Sequence, residues 1–144
     1  MRRAAARRRL LRSFTAVAMQ VELALAVRTE RLHLVSERRM VGGPDIAVEI
    51  VSRESRQRNY GEKKQLYADA GVSEYWIIDS LQRRVEFHRL RAGRYEPVAL
   101  EQNRIFRSIV LEGFWLDVEW LLAEPLPNEY QKLQEILAQQ ERVR

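Results

Sequence analysis

Two short apolar runs decide the fold of this chain, DIAVEIV at Asp45–Val51 and EYWIID at Glu74–Asp79. Both are rich in Ile, Val or aromatic residues, which are typical of β-strands. Between them, YGEKKQLYADA at Tyr60–Ala70 has helical spacing, and Gly71 is a natural helix stop. The polar stretch Ser52–Asn59 is predicted to be a loop that leads into this helix. A strand, a helix and a strand in succession predict an α/β domain.

Further predicted elements extend this unit in both directions. Their apolar residues either alternate, as in strands, or recur with helical spacing. Neither an internal repeat nor a linker interrupts the pattern, so we expect one domain. In chain order these elements are a strand at Val21–Val27, a short helix or strand edge at Leu32–Val35, a hairpin of Arg83–Arg89 and Arg94–Leu100, a short strand at Ile105–Val110, a mixed apolar stretch at Leu111–Leu122, and an amphipathic helix at Glu129–Arg142 with Asn128 as its N-cap.

The net charge of +5 lies at one end of the chain. Of the 144 residues, 25 are basic and 20 acidic, but residues 1–21 hold six Arg and no acid. Residues 22–144 carry 19 basic and 20 acidic residues, a net charge of −1. The charge of this part therefore does not by itself indicate a nucleic-acid partner. The absence of cysteine excludes disulfides, thiolate zinc sites and a cysteine nucleophile.

The Arg-rich segment 1–20 is distinct in composition from the domain predicted over 21–144. Three interpretations stay open for it: a targeting peptide, a basic arm that contacts phosphates, or an Ala/Arg-rich helix or frayed end without a role. The apolar stretch that begins at Phe14 is too short to span a membrane. We expect a cytoplasmic protein without a membrane partner.

Glu49 is the first candidate for a functional side chain. Because side chains alternate along a strand, Asp45, Ala47, Glu49 and Val51 share one face. A carboxylate thus lies mid-strand among small or apolar groups. An unpaired buried carboxylate is costly, and coordination of a metal ion is one way to compensate it. The alternatives are a solvated strand face or a salt bridge to one of the many Arg residues.

Lys63 is the second candidate, because it lies on an inward-facing side of the predicted helix. Leu66, Tyr67 and Ala70 share that side, and we expect Leu66 and Ala70 to pack on the sheet. Lys64 is expected to point towards solvent. The chain has three Lys against 22 Arg, so an inward Lys suggests a need for a compact ammonium group. A solvated Lys is the alternative.

A strand carboxylate, a second carboxylate and a lysine can together cleave phosphodiesters. Oxygen ligands hold Mg²⁺, which polarises the phosphodiester and lowers the pKa of a bound water. The ammonium group orients that water or stabilises the developing charge. Glu22 is the candidate second carboxylate, because it opens the strand predicted at Val21–Val27.

Three segments resemble the Uma-two family of "putative restriction endonucleases", in the PD-(D/E)XK nuclease superfamily. They are GGPDIAVEIVS at Gly42–Ser52, Asn59–Lys63 with Leu66 and Tyr67, and AGVSEYWIID at Ala70–Asp79. The resemblance extends from about Val21 to about Leu122. It implies a restriction-endonuclease-like mixed central sheet flanked by helices, incomplete at the N-terminus, and cleavage of DNA with Mg²⁺ or Mn²⁺.

The resemblance also assigns roles residue by residue. Glu49 matches the acidic member of the (D/E)XK element, and Val51 stands where its Lys would be. Family members take the Lys from the following helix, which matches Lys63. By analogy, the main-chain carbonyl of Ile50 is a further metal ligand, and Glu22 stands at the position of a usual Asp. Signature positions that look mainly structural are Tyr67, Glu74, Tyr75, Trp76 and Asp79, while Asn59 replaces a family Asp.

The primary hypothesis is a Mg²⁺-dependent DNA endonuclease with catalytic Glu49, Lys63 and Asp45, the last as a nearby supporting carboxylate. Its metal ligands are Glu22, Glu49 and Ile50. One alternative is an inactive remnant that binds nucleic acid or protein, because the N-terminal region departs from the family. Another is a structural subunit completed by a partner chain, and a homodimer stays open. Three arginines beside the site are expected either to contact DNA phosphates or to be solvated: Arg53, Arg56 and Arg58.

The remaining chemically distinctive residues are expected to be structural or exposed. His88 lies on an alternating strand with Glu86, so we expect it to be exposed. Trp76 is predicted to lie in the core. Trp115 and Trp120 fit either the core or an interface.

Overall fold

The computed structural model describes residues 14–20, 23–34 and 42–142. Within these residues, six strands form one mixed sheet in the order β1 to β6. β3 and β4 are parallel, and the other neighbouring strands are antiparallel. The predicted α/β class is therefore confirmed. The strands are β1 (Phe14–Gln20), β2 (Leu23–Arg28), β3 (Ile46–Ile50), β4 (Glu74–Asp79), β5 (Arg84–Arg91) and β6 (Arg94–Pro97).

The parallel pair β3–β4 needs a crossover, which two short helices provide. They are α1 (Arg56–Tyr60) and α2 (Glu62–Asp69), separated at Gly61. The loop predicted over Ser52–Asn59 is wrong in its second half, because the helix begins at Arg56. Reciprocal hydrogen bonds, Ser52 N to Ser55 Oγ at 2.9 Å and Ser55 N to Ser52 Oγ at 3.1 Å, close a tight turn that permits this early start.

The segment after the hairpin packs on one face of the sheet. It contains β7 (Ile105–Arg107), β8 (Trp115–Asp117) and two helices, α3 (Val118–Leu122) and α4 (Glu129–Arg142). The bounds of α4 agree with the prediction, and Asn128 Oδ1 accepts a hydrogen bond from Gln131 N at 3.0 Å as the predicted N-cap.

Both faces of the sheet are covered at its centre, where β3, β4 and β5 carry buried side chains on both sides. On the face towards β7 and β8, the core holds Ile46, Phe87 and the predicted core residue Trp76. On the face towards α1 and α2, it includes Ala47, Val51, Val72, Tyr75 and Ile77.

His88 is the clearest correction in this part of the chain. It is 3% exposed rather than solvated, and its ring lies 6.4 Å from that of Tyr75 and 6.2 Å from that of Tyr95. The alternating pattern of its strand suggested one solvated face, but both faces of the sheet are covered here. Trp115 and Trp120 are half-buried, with ring centroids 5.0 Å apart, and Trp120 packs against the core.

The N-terminal part of the chain enters the sheet earlier than expected. β1 begins at Phe14, inside the segment 1–20 that composition set apart, and pairs with β2. Residues 1–13 lie outside the described residues. Of the uncertain stretch at Leu32–Val35, the part up to Leu34 belongs to a 3-10 helix, Thr29–Leu34, and Val35 lies outside the described residues. In the described part of the chain, no helix has the length and apolar character needed to cross a membrane.

Candidate functional site

Glu49 lies near the carboxyl end of β3 and is fully buried. Its Cα pairs with Leu23 on β2 and with Ile77 on β4, so apolar residues stand opposite it on both neighbouring strands. Its side chain shares the face of Ala47 and Val51, under the helical crossover. An ionised carboxylate at such a position requires partners that compensate its lost hydration.

Two side chains of α2 supply these partners. Lys63 Nζ lies 2.9 Å from Glu49 Oε2, and Tyr67 Oη donates to Glu49 Oε1 at 2.8 Å. The donors are one helical turn apart and so lie on the same side of α2. The predicted approach of Lys63 to the strand carboxylate is therefore found, and each oxygen of Glu49 has its own donor.

The face of α2 that meets the sheet differs in part from the predicted one. Leu66 is 62% exposed and Ala70 is also exposed, whereas Ala68 is buried. Lys64 is half-buried rather than solvated. The prediction was right for Lys63 and Tyr67, which both reach the strand carboxylate, but the apolar residue that packs inward beside them is Ala68 rather than Leu66 or Ala70.

Tyr67 is the site residue that sequence reasoning assigned mainly to structure. Burial and the hydrogen bond to Glu49 raise the pKa of its hydroxyl well above the ordinary value for tyrosine. The phenol therefore stays protonated and acts as a neutral donor. Its position four residues after Lys63 on a helix was the sequence signal that could have identified it.

The rings of Tyr67, Tyr75 and Tyr95 pack together, and we call this group the aromatic wall. The ring of Tyr75 lies 5.1 Å from that of Tyr67 and 5.7 Å from that of Tyr95. The hydroxyls of Tyr75 and Tyr95 donate to the main-chain carbonyls of Asn59 at 2.9 Å and Val72 at 2.7 Å. Burial raises the pKa of both hydroxyls. Because Glu49 is fully buried, electrostatic interactions there are stronger than at the surface.

Asp45 is not brought to the Glu49 cluster. It lies four residues earlier on the same strand face, roughly 13 Å away along a strand. Its carboxylate accepts hydrogen bonds from Arg28 N and Arg31 Nη1, both at 2.8 Å. The prediction of a nearby supporting carboxylate is corrected: Asp45 anchors the 3-10 helix at the other end of β3.

The other predicted site residues have different positions. Glu22 lies outside the described residues. Ile50 directly follows Glu49, and its side chain is 43% exposed. Arg56 Nε bonds to Asp79 Oδ2 at 3.2 Å, so this arginine is held in an ion pair rather than displayed for phosphates. Arg53 and Arg58 are exposed at the start of the crossover.

The described residues do not by themselves form a complete site for a divalent cation. Among the described side chains, no group of three or more His, Cys, Asp or Glu could hold a metal ion. Glu49 does provide carboxylate oxygens, which Mg²⁺ prefers. A carboxylate has about four acceptor positions, so the bonds from Lys63 and Tyr67 leave acceptor capacity on both oxygens. A cation at Glu49 would take its further ligands from the main chain, from water or from residues outside the described ones.

The fold corresponds to that of a known class of proteins. The structure is similar to the crystal structure of "a putative nuclease belonging to DUF820" from Anabaena variabilis, with a TM-score of 0.60 and 15% sequence identity. The match covers 82% of this chain and 74% of that one, and it shows a shared fold. The family model Uma2, described as "Putative restriction endonuclease", matches residues 19–119. The chain belongs to this family, as the resemblance predicted. No curated protein matches the chain.

Proposed function

We propose that this protein hydrolyses DNA phosphodiester bonds, with Mg²⁺ or Mn²⁺ as cofactor, at the site built around Glu49. The observation that carries the proposal is the fully buried Glu49 carboxylate with Lys63 Nζ at 2.9 Å. Membership of a family described as restriction endonucleases supports DNA as the substrate.

In this proposal, Glu49, Glu22 and the main-chain carbonyl of Ile50 hold the divalent cation. When bound, the cation polarises the phosphodiester and lowers the pKa of water. All three ligands are oxygens, as Mg²⁺ requires. Asp45 has no part in the proposed reaction, because its carboxylate is committed to Arg28 and Arg31.

Lys63 supplies the positive charge of the reaction. Its side chain is 23% exposed, whereas that of Glu49 is fully buried, so the ammonium group lies on the solvent-facing side of the pair. A phosphate that approaches from solvent therefore meets Lys63 first. There the ammonium group orients the attacking water and stabilises the charge that develops on the phosphate oxygens.

Arg53 and Arg58 are the proposed contacts to the DNA backbone. Both are exposed and lie shortly after Glu49 in the chain. Contacts of arginine to phosphates position a duplex without reading its sequence. Arg56 contributes less, because its guanidinium is paired with Asp79.

The proposal is tested with supercoiled plasmid DNA, incubated with the protein in Mg²⁺, in Mn²⁺ and in EDTA. We expect nicking or linearisation that requires the cation and is lost in Lys63→Met. Lys64→Met is the matched control, because it removes the adjacent lysine of the same helix, and it should retain cleavage. Absence of cleavage by the folded wild-type protein would contradict the proposal. If that protein still bound DNA in a salt-sensitive way, the result would favour a binding module.

A further inference from the structure

We infer that Tyr67 is a positioning residue, which holds the Glu49 carboxylate in the orientation needed for cation binding. The inference rests on the proposed function, in which Glu49 is a ligand. It assigns to Tyr67 a role beyond packing. Of the two donors on α2, Tyr67 orients the carboxylate and Lys63 provides positive charge.

The two donors differ in what they can fix. Lys63 reaches Glu49 Oε2 through a flexible four-carbon chain that is 23% exposed. Tyr67 reaches Oε1 through a rigid ring with two side-chain torsions, and this ring packs 5.1 Å from the ring of buried Tyr75. The tyrosine therefore defines the plane of the carboxylate, while the lysine provides the charge.

The chemistry of the phenol suits this role. Tyr67 donates one hydrogen bond and, being neutral, leaves the negative charge of Glu49 available for a cation. A second cationic donor at this place would instead compete with the cation for the same carboxylate. Since ligand-orienting partners commonly affect metal affinity by about 10- to 100-fold, loss of this bond should be measurable.

The aromatic wall offers a matched control. Tyr95 is a half-buried tyrosine on the same wall, and its hydroxyl also donates one hydrogen bond, but to Val72 O at 2.7 Å. Tyr67→Phe and Tyr95→Phe each remove one oxygen and one hydrogen bond. Only the first change removes a contact to Glu49, so a general loss of packing would affect both variants alike.

The test is isothermal titration calorimetry of the full chain with Mn²⁺ and without DNA. We expect Tyr67→Phe to bind Mn²⁺ about tenfold or more weakly than wild type, and Tyr95→Phe to bind within about twofold of it. Equal affinity of Tyr67→Phe and wild type would overturn the inference alone. An equal loss in both variants would also overturn it, since that result marks a packing effect. A folded wild-type protein that binds no Mn²⁺ would overturn the proposed function, and the inference with it.

A second variant keeps the test decisive if Tyr67→Phe does not fold, as judged by circular dichroism. Tyr67→4-aminophenylalanine retains a neutral donor at the same place on the ring. We expect its Mn²⁺ affinity to stay within about threefold of wild type, because the orienting bond survives. A loss as large as about tenfold in this folded variant would overturn the inference.

Discussion

At the residue scale, the buried carboxylate of Glu49 requires partners that compensate its charge. Glu49 is wholly buried, and its two partners come from a single helix. Removing one partner of a buried ion pair costs more than the pair contributes in total, because the remaining charge is left without compensation. The pairing therefore supports both the fold and the proposed chemistry.

Lys63→Met should destabilise the protein for this reason. We expect the free energy of unfolding in urea to fall by about 2–4 kcal/mol, somewhat less than for a fully buried pair because Lys63 retains some exposure. Lys64→Met is the control and should lose less than about 1 kcal/mol, because Lys64 makes no bond to Glu49. Equal losses in the two variants would show that Lys63 does not compensate a buried charge.

His88 should make stability depend on pH. Burial lowers the pKa of its imidazole below 6.5, although the hydrogen bond to Glu86 and the charge of Glu86 act in the opposite direction. Lys64 and Arg84 also disfavour the protonated form. Because the unfolded chain then binds the proton more tightly, His88 contributes stability above about pH 6.5, and this is lost as the pH falls towards the folded-state pKa.

The measurement is urea unfolding at pH 7.5 and pH 5.5 for wild type and His88→Gln. We expect wild type to lose more stability than the variant between these two values, since the variant lacks the titrating group. Parallel losses in both proteins would contradict the assignment to His88.

At the scale of elements, the loop before β3 and the end of α2 approach each other closely at Gly43. A methyl group on Gly43 would lie 2.6 Å from Ala70 O and 2.9 Å from a methyl carbon of Val72. The main-chain oxygen of Ala70 could move away from such a methyl group only at a cost in stability. This close contact packs the loop before β3 against the carboxyl end of α2.

Gly43→Ala should therefore destabilise the fold by about 1–3 kcal/mol, the usual cost of overpacking. A decrease in the melting temperature would confirm the close approach. An unchanged melting temperature would show that the loop and the helix can separate without cost.

The elements also show which parts of the structure the sequence could predict. The strands at Asp45–Val51 and Glu74–Asp79 and the helix Glu129–Arg142 were predictable, because each has a strong local pattern. The exact inward side of α2 was not, because it depends on tertiary contacts such as the hydrogen bond from Tyr67 to Glu49, 18 residues earlier. Apolar spacing does not report such a pairing.

At the scale of the whole molecule, a second buried carboxylate joins the sheet to the segment that contains β7 and β8. Glu74 is fully buried on β4, and it accepts bonds from Ser108 Oγ and Ile109 N, both at 2.8 Å. Trp76 Nε1 donates to it at 3.2 Å. The sequence placed Glu74 among signature positions that look structural, but its long-range partners were not predictable from local pattern.

The candidate site was predictable to a similar extent. Glu49 and Lys63 followed from strand and helix faces together with the family resemblance, and the structure brings them together. Asp45 was misassigned because a shared strand face does not reveal the partners that reach it from elsewhere in the chain, here Arg28 and Arg31. The partners of a charged residue are a property of the tertiary fold.

The central claim is that Glu49 is a ligand of the cation needed for cleavage, and not merely a buried carboxylate. The most direct test compares Mg²⁺-dependent plasmid cleavage by Glu49→Gln with that by Glu74→Gln. Both substitutions neutralise a fully buried glutamate with little change of shape. We predict that Glu49→Gln loses cleavage by about a hundredfold or more, while folded Glu74→Gln stays near the wild-type rate. Cleavage by Glu49→Gln at the wild-type rate would contradict the claim.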